Sequence, residues 1–170
     1  KINDILNSVS TNDIEKIKKL FFKSNRIFVY GAGRSGLVAK AFAIRLMHLG
    51  FQTFVIGETI TAPVQKGDLV IILSGSGETI PAVMTADIAH KLGAKVVSIT
   101  GKKRSDISKY ADVTLYLSAS CNDKERKQYA PLGTLFEASV WILMDGIIAD
   151  LLESKHETEV TMRKRHATLQ

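Results

Sequence analysis

Asp68-Leu69-Val70-Ile71-Ile72-Leu73-Ser74-Gly75-Ser76-Gly77-Glu78-Thr79 passes without a break from an apolar run into a turn of glycines and hydroxyls. A segment with helical spacing, from about Ile80 to Leu92, follows and stops at Gly93. The apolar part reads as a short strand. The glycines let the backbone approach a ligand closely, and the following helix offers its N-terminus to an anion. A helix cap needs one hydroxyl, whereas Ser74, Ser76 and Thr79 supply three. Ser74, Gly75, Ser76, Gly77 and Thr79 are therefore candidate phosphate-binding residues.

A second strand–turn–helix unit lies upstream. The β-rich run Arg26–Tyr30 leads into Gly31-Ala32-Gly33-Arg34-Ser35-Gly36, and a helix-patterned stretch runs from about Ser35 to Leu49, ending at Gly50. The turn matches the G-x-G-x-x-G fingerprint, and Glu58 stands about where a ribose-binding acid belongs. The match alone is weak, because any tight turn against a phosphate needs glycines. Further β-rich runs occur at Phe51–Ile56, Lys95–Thr100 and Asp112–Leu117, with a short helical turn at Asp106–Tyr110. This alternation predicts an α/β fold, a doubly wound, flavodoxin-like, five-stranded parallel sheet flanked by helices. In strand order 2-1-3-4-5 the two glycine-rich turns sit side by side at the carboxyl ends of strands 1 and 3, where one anionic ligand touches both. A nicotinamide site uses only the first turn and leaves the hydroxyls of the second without a purpose, so no redox cofactor is expected.

Two helical regions flank this unit. Residues 1–23 read as a helix over about Ile2–Phe22 with a break near Thr11–Asp13. Leu132–Glu153 is apolar almost all round, which predicts burial on every side, partly against another subunit. Ser154–Gln170 is polar and reads as a tail. The 170 residues suit one domain. The formal charge is +6, but apart from Lys102–Arg104 and Arg163–Arg165 the basic residues are scattered. No helix-turn-helix or zinc-finger spacing accompanies them, so a surface that attracts an anionic small molecule is expected rather than nucleic acid. No apolar run reaches membrane length, and Lys1–Lys23 lacks a signal-peptide pattern. The single cysteine, Cys121, forms no internal disulfide and reads as an inert thiol, which fits a reducing cytoplasm.

The Ser74–Thr79 loop resembles the S-x-S-G-x-[ST] phosphate-binding signature of sugar isomerase (SIS) domains. Gly31–Gly36, Arg45-Leu46-Met47-His48-Leu49-Gly50-Phe51, Gly57-Glu58-Thr59, Pro131-Leu132-Gly133-Thr134-Leu135-Phe136-Glu137 and Arg165-His166-Ala167 are together similar to the 6-phospho-3-hexuloisomerase family. That resemblance implies a single SIS domain over 1–170. It implies a cytoplasmic enzyme interconverting 3-hexulose 6-phosphate and fructose 6-phosphate through an enediol, with no metal and no cofactor. It also implies a homo-oligomer, a tetramer by family, with 3-hexulose-6-phosphate synthase as functional partner in formaldehyde fixation or pentose synthesis. The alternatives are an isomerase for arabinose 5-phosphate or a non-catalytic sugar-phosphate sensor. Those proteins usually carry added regulatory or DNA-binding domains, which are not expected here.

Such a reaction needs a base that moves a proton between neighbouring carbons and a group that carries protons between their oxygens. Glu137 follows Pro131 and Gly133 into an apolar helix, where its carboxylate is partly desolvated. By its residues alone it equally suits a glutamate complementing the helix dipole, and the resemblance implies the base. His166 alone reads as a solvated tail histidine, and the resemblance implies a proton carrier entering a neighbouring subunit's site. Glu58 is a candidate second acid–base group or hydroxyl ligand. Gly33, Arg34 and Ser35 in the first turn are candidates to reach phosphate or sugar oxygens. Arg45 suits an interface ion pair or a neighbour's site, and His48 a helix C-terminus.

Overall fold

Every residue of Leu69–Ser74 is buried, as an unbroken apolar strand covered on both faces requires. The computed structural model describes residues 1–118, 123–131 and 134–168. Cys121, Leu132, Gly133, Leu169 and Gln170 lie outside the described residues. In chain order the elements are α1 (Ile2–Asn7), α2 (Thr11–Lys23), β1 (Ile27–Gly31), α3 (Gly33–His48), β2 (Thr53–Val55), β3 (Leu69–Ser74), α4 (Ile80–Lys91), β4 (Lys95–Thr100), a 3-10 turn (Ile107–Lys109), β5 (Val113–Tyr116), α5 (Asp123–Tyr129), α6 (Thr134–Ser154) and α7 (Glu159–Lys164). The strands form one parallel sheet in the order β2-β1-β3-β4-β5.

Side chains alternate across the sheet, so each strand feeds two cores. Val29, Ile71, Val97 and Leu115 face one side and meet Phe21 of α2, Phe42 and Leu46 of α3, and Val140 and Met144 of α6. Phe28, Val70, Ile72 and Val96 face the other and meet Ala82, Ala86 and Ala89 of α4, with Ile107 of the 3-10 turn. Each fully buried Leu, Ile, Val or Phe contributes roughly 1.5–3 kcal/mol. The sheet is pinned below the site by an ion pair between the part-exposed Arg26 and the buried Asp68. Arg26 Nε and Nη2 donate to the two oxygens of Asp68 at 3.0 and 2.6 Å, and the Gln65 N–H donates to Asp68 at 2.8 Å.

The structure refines the sequence reading at four places. The N-terminal helix breaks earlier than expected, because the Ser10 hydroxyl accepts the Asp13 N–H at 3.2 Å and caps α2. Residues 123–129 form an unexpected helix. The tail is not merely polar chain. Thr158 and Thr161 form a reciprocal cap for α7, and Met162 buries its side chain. Finally, α6 is not buried all round, since Trp141 and Ile142 are 48% and 49% exposed. No helix among the described residues is long and apolar enough to cross a membrane.

Candidate active site

Gly31 and Leu73 are register partners, so β1 and β3 end level and their turns open next to each other. In the first turn α3 starts hard against the strand. A Cβ on Gly36 would stand 2.5 Å from the Gly31 carbonyl oxygen, a gap only glycine tolerates. This tight start turns Ser35 inward, where it is buried. Its hydroxyl donates to Glu137 Oε1 at 3.3 Å. Glu137 lies in the first turn of α6, so the two turns of sequence meet through tertiary packing. The other carboxylate oxygen, Oε2, is buried and has no hydrogen-bond partner among the described residues. A buried oxygen without a partner costs about 1–3 kcal/mol, a cost that a donor on a bound ligand would offset.

The first turn of α6 also reaches the hydroxyl-rich loop. The Phe136 ring lies against Gly75, 3.2 Å from where a Cβ would sit. That contact ties the first turn of α6, which carries Glu137, to the Ser74–Thr79 loop. Within the turn Gly77 takes φ +66, and a Cβ there would fall 2.4 Å from Ser105 Oγ. Its N–H donates to the Ser74 hydroxyl at 3.0 Å, and the Glu78 N–H donates to the Ser76 hydroxyl at 3.2 Å. Thr79 Oγ1 stands 3.2 Å from Ser74 Oγ and 3.4 Å from Ser76 Oγ. Thr79 occupies the N-cap position of α4, yet its side chain caps no helix N–H. Three hydroxyls thus converge at a helix N-terminus, with Ser74 buried and Ser76 exposed. The Glu78 carboxylate is occupied by Lys102 at 2.7 Å.

Arg34, Glu137, Leu37, Trp141 and Ile142 line a groove of about 470 Å³ running from the first turn along α3 and α6. It has a charged end and an apolar wall. Further along, Arg45 pairs with Asp145 of the same chain at 3.6 Å. Gly33, Arg34, Ser35, Glu137 and the Ser74–Thr79 loop are therefore brought to one sheet edge. Glu58 follows β2 and its carboxylate is engaged at 2.5 Å by Lys40, a residue the sequence reading did not single out. Lys102 was likewise visible only as part of a basic run. His166 stands elsewhere, stacked on His48 at the far end of α3. At 1.5 Å per residue, His48 is roughly 20 Å along the helix from Ser35. Among the described residues no three His, Cys, Asp or Glu side chains are grouped as metal ligands.

The SIS domain family matches residues 20–136. The chain is 39% identical over 175 residues to a 3-hexulose-6-phosphate isomerase of Bacillus subtilis, covering 99% of this chain and 95% of the relative. A solved structure of a hypothetical protein superposes with a TM-score of 0.94 at 40% identity, covering 99% of this chain and 91% of the other. Another, from Methanococcus jannaschii, superposes with a TM-score of 0.86 at 33% identity, covering 94% and 86%. Its description infers a molecular function of 3-hexulose-6-phosphate isomerase for that protein.

Proposed function

This chain belongs to the SIS-domain family, alongside the 3-hexulose-6-phosphate isomerases, and on that premise we propose that it interconverts 3-hexulose 6-phosphate and fructose 6-phosphate through an enediol. The observation that carries the reading is the position of Glu137. It has one oxygen held by Ser35, one buried oxygen without a partner among the described residues, and a place in the helix turn whose Phe136 packs on Gly75 of the hydroxyl loop.

The substrate phosphate sits on the Ser76 and Thr79 hydroxyls and the loop N–H groups, at the positive end of α4. Ser74 shapes that loop by receiving the Gly77 N–H, and Gly75 and Gly77 let it fold closely. Gly33 opens the first turn, and Arg34 adds positive charge at its mouth. Glu137 removes the C2 proton of the hexulose, giving the enediol, and returns it to C3. The C2 hydroxyl loses its proton while the C3 oxygen gains one. His166 of a neighbouring subunit carries this second transfer, since its own chain stacks it on His48 at the far end of α3. Hydrogen bonds stabilise the enediolate, so the proposal includes no metal. Glu58, paired with Lys40, binds sugar hydroxyls rather than taking the carbon-bound proton.

The half-exposed Leu37, Trp141 and Ile142 beside the groove support burial against a second copy, and we propose a homo-oligomer, a tetramer, in the cytoplasm. Its functional partner is 3-hexulose-6-phosphate synthase, acting in formaldehyde fixation or in the reverse, pentose-forming direction. The test is an assay of the purified chain with fructose 6-phosphate, the synthase trapping the product, and arabinose 5-phosphate as rival substrate. Turnover of fructose 6-phosphate is expected. Binding without turnover would instead leave a sensor.

A further inference from the structure

The C-terminal end of α3 and the tail make a contact that neither the phosphate loop nor Glu137 explains. It joins two sequence segments more than a hundred residues apart, Arg45–Phe51 and Arg165–Ala167. His48 is buried, and its ring lies on that of His166 with centroids 5.0 Å apart and planes 23° apart. Arg165 locks the arrangement from behind. Its Nη1 donates to the His48 carbonyl at 3.0 Å and its Nη2 to the Glu157 carboxylate at 2.9 Å. The guanidinium crosses Gly50, where φ is +82 and a Cβ would fall 3.1 Å from Arg165 Cζ. His166 Nδ1 lies 3.1 Å from the Ala167 carbonyl oxygen. Donation from Nδ1 to that oxygen leaves the lone pair of the neutral ring on Nε2, the form that accepts a hydroxyl proton. The ring of His166 is meanwhile exposed.

We propose that His48 and Arg165 are positioning residues for His166, holding its imidazole at a fixed place and tilt for presentation to a neighbouring subunit. This rests on the reading of His166 as the oxygen-to-oxygen proton carrier. A tail histidine on free chain would sample many orientations, and its catalytic use would be diluted accordingly. The fork of Arg165 fixes the backbone, and the stack on a buried ring fixes the imidazole plane. Burial first, then the positive character of His166 and Arg45, holds the basicity of His48 below the ordinary histidine range. His48 is therefore a flat support with a lowered tendency to take a proton.

The experiment is steady-state isomerisation by the full chain carrying His48→Ala, His48→Phe, Arg165→Lys, His166→Ala, and each of His48→Ala and Arg165→Lys combined with His166→Ala. His48→Ala is expected to lower kcat about tenfold with KM within about twofold. His48→Phe keeps a flat ring and recovers most of that loss. In the His166→Ala background neither second substitution lowers turnover further. Arg165→Lys, at a surface position that leaves the core intact, keeps the test decisive if His48→Ala fails to fold. Losses that multiply in the double variants would overturn the positioning role while His166 kept its own. Wild-type turnover in His166→Ala would remove both.

Discussion

The Ser35 hydroxyl and the Glu137 carboxylate meet at 3.3 Å, one from the turn after the first strand and one from the start of the longest helix. The bond holds one oxygen of Glu137 and leaves the other buried and without a partner among the described residues. Glu137→Gln keeps the size and the bond from Ser35 but cannot take a proton. We predict a fall in kcat of about a hundredfold or more with little change in KM. Steady-state kinetics checks this, and near-normal turnover would remove Glu137 as the base.

The three hydroxyls of the second turn should not respond alike. Ser76 is exposed, and its loss removes a direct phosphate contact, so Ser76→Ala is expected to raise KM by an amount equivalent to about 1–3 kcal/mol. Ser74 is buried and receives the Gly77 N–H at 3.0 Å. Ser74→Ala is therefore expected to lower the melting temperature as well as raise KM. Competition by inorganic phosphate reads the site directly. Normal KM in Ser74→Ala, Ser76→Ala and Thr79→Ala alike would move the phosphate elsewhere.

Stability rests on a pair far from this chemistry. Asp68 is 1% exposed and accepts two bonds from Arg26 and one from the Gln65 N–H. Removing Asp68 takes the acceptor from the Gln65 N–H and the counter-charge from the part-exposed Arg26. Asp68→Ala should therefore lower stability in urea denaturation. A loss below about 1 kcal/mol would show the pair to be solvated.

The strands, the two turns and the sheet order were legible because their signals are local. An unbroken apolar run, a glycine turn and a helical stripe each specify their own backbone, and the common doubly wound arrangement supplies the order. The site was legible as residue types, since Glu137, Ser35 and the hydroxyl loop were all singled out. Their contact was not legible, because it depends on the Phe136 ring docking on Gly75, a matter of packing. Lys40 beside Glu58 and His48 beneath His166 escaped for the same reason. The tail helix left a readable trace in the spacing of Thr158 and Thr161, a reciprocal cap, which the surrounding charge obscured. Glu78, in contrast, was visible in sequence but turns to Lys102, which takes its charge out of the phosphate loop.

The docked tail should loosen in two separate pH windows. The basicity of His48 is depressed by burial, then by His166 and Arg45, and Arg163 and Glu159 line the same hollow. The folded chain thus prefers a neutral His48. Its contribution is complete above the ordinary histidine value and is lost as pH falls below about 6.5. Glu157 is held down to about 2 by Arg165 and then Thr161. Its contribution is complete above about 4.5 and is lost as pH falls from there toward about 2. Melting temperatures of wild type relative to His48→Phe should therefore drop between pH 7 and 5. The difference between wild type and Glu157→Gln should hold across that range and close only in stronger acid. Parallel curves for wild type and His48→Phe would show that His48 does not titrate in the docked tail.

Because the chain stacks its own His166 on His48, roughly 20 Å along α3 from the Ser35 that holds Glu137, each active site is expected to combine residues from two subunits. Glu137→Gln and His166→Ala should each be nearly inactive alone. In a co-refolded equal mixture, a site regains both groups when the chain supplying Glu137 is the His166 variant and the chain supplying His166 is the Glu137 variant. Random assortment gives about a quarter of the sites that composition, so activity should rise well above either variant. Assembly is checked in the same samples by light scattering and by Trp141, the single tryptophan, half-exposed beside the Glu137 groove. Its emission should shift to shorter wavelength when a second copy covers it. Subunit exchange is verified with differently tagged variants. Full exchange without regained activity would keep Glu137 as the base and remove the shared site. A monomer by light scattering at micromolar concentration would remove the oligomer as well.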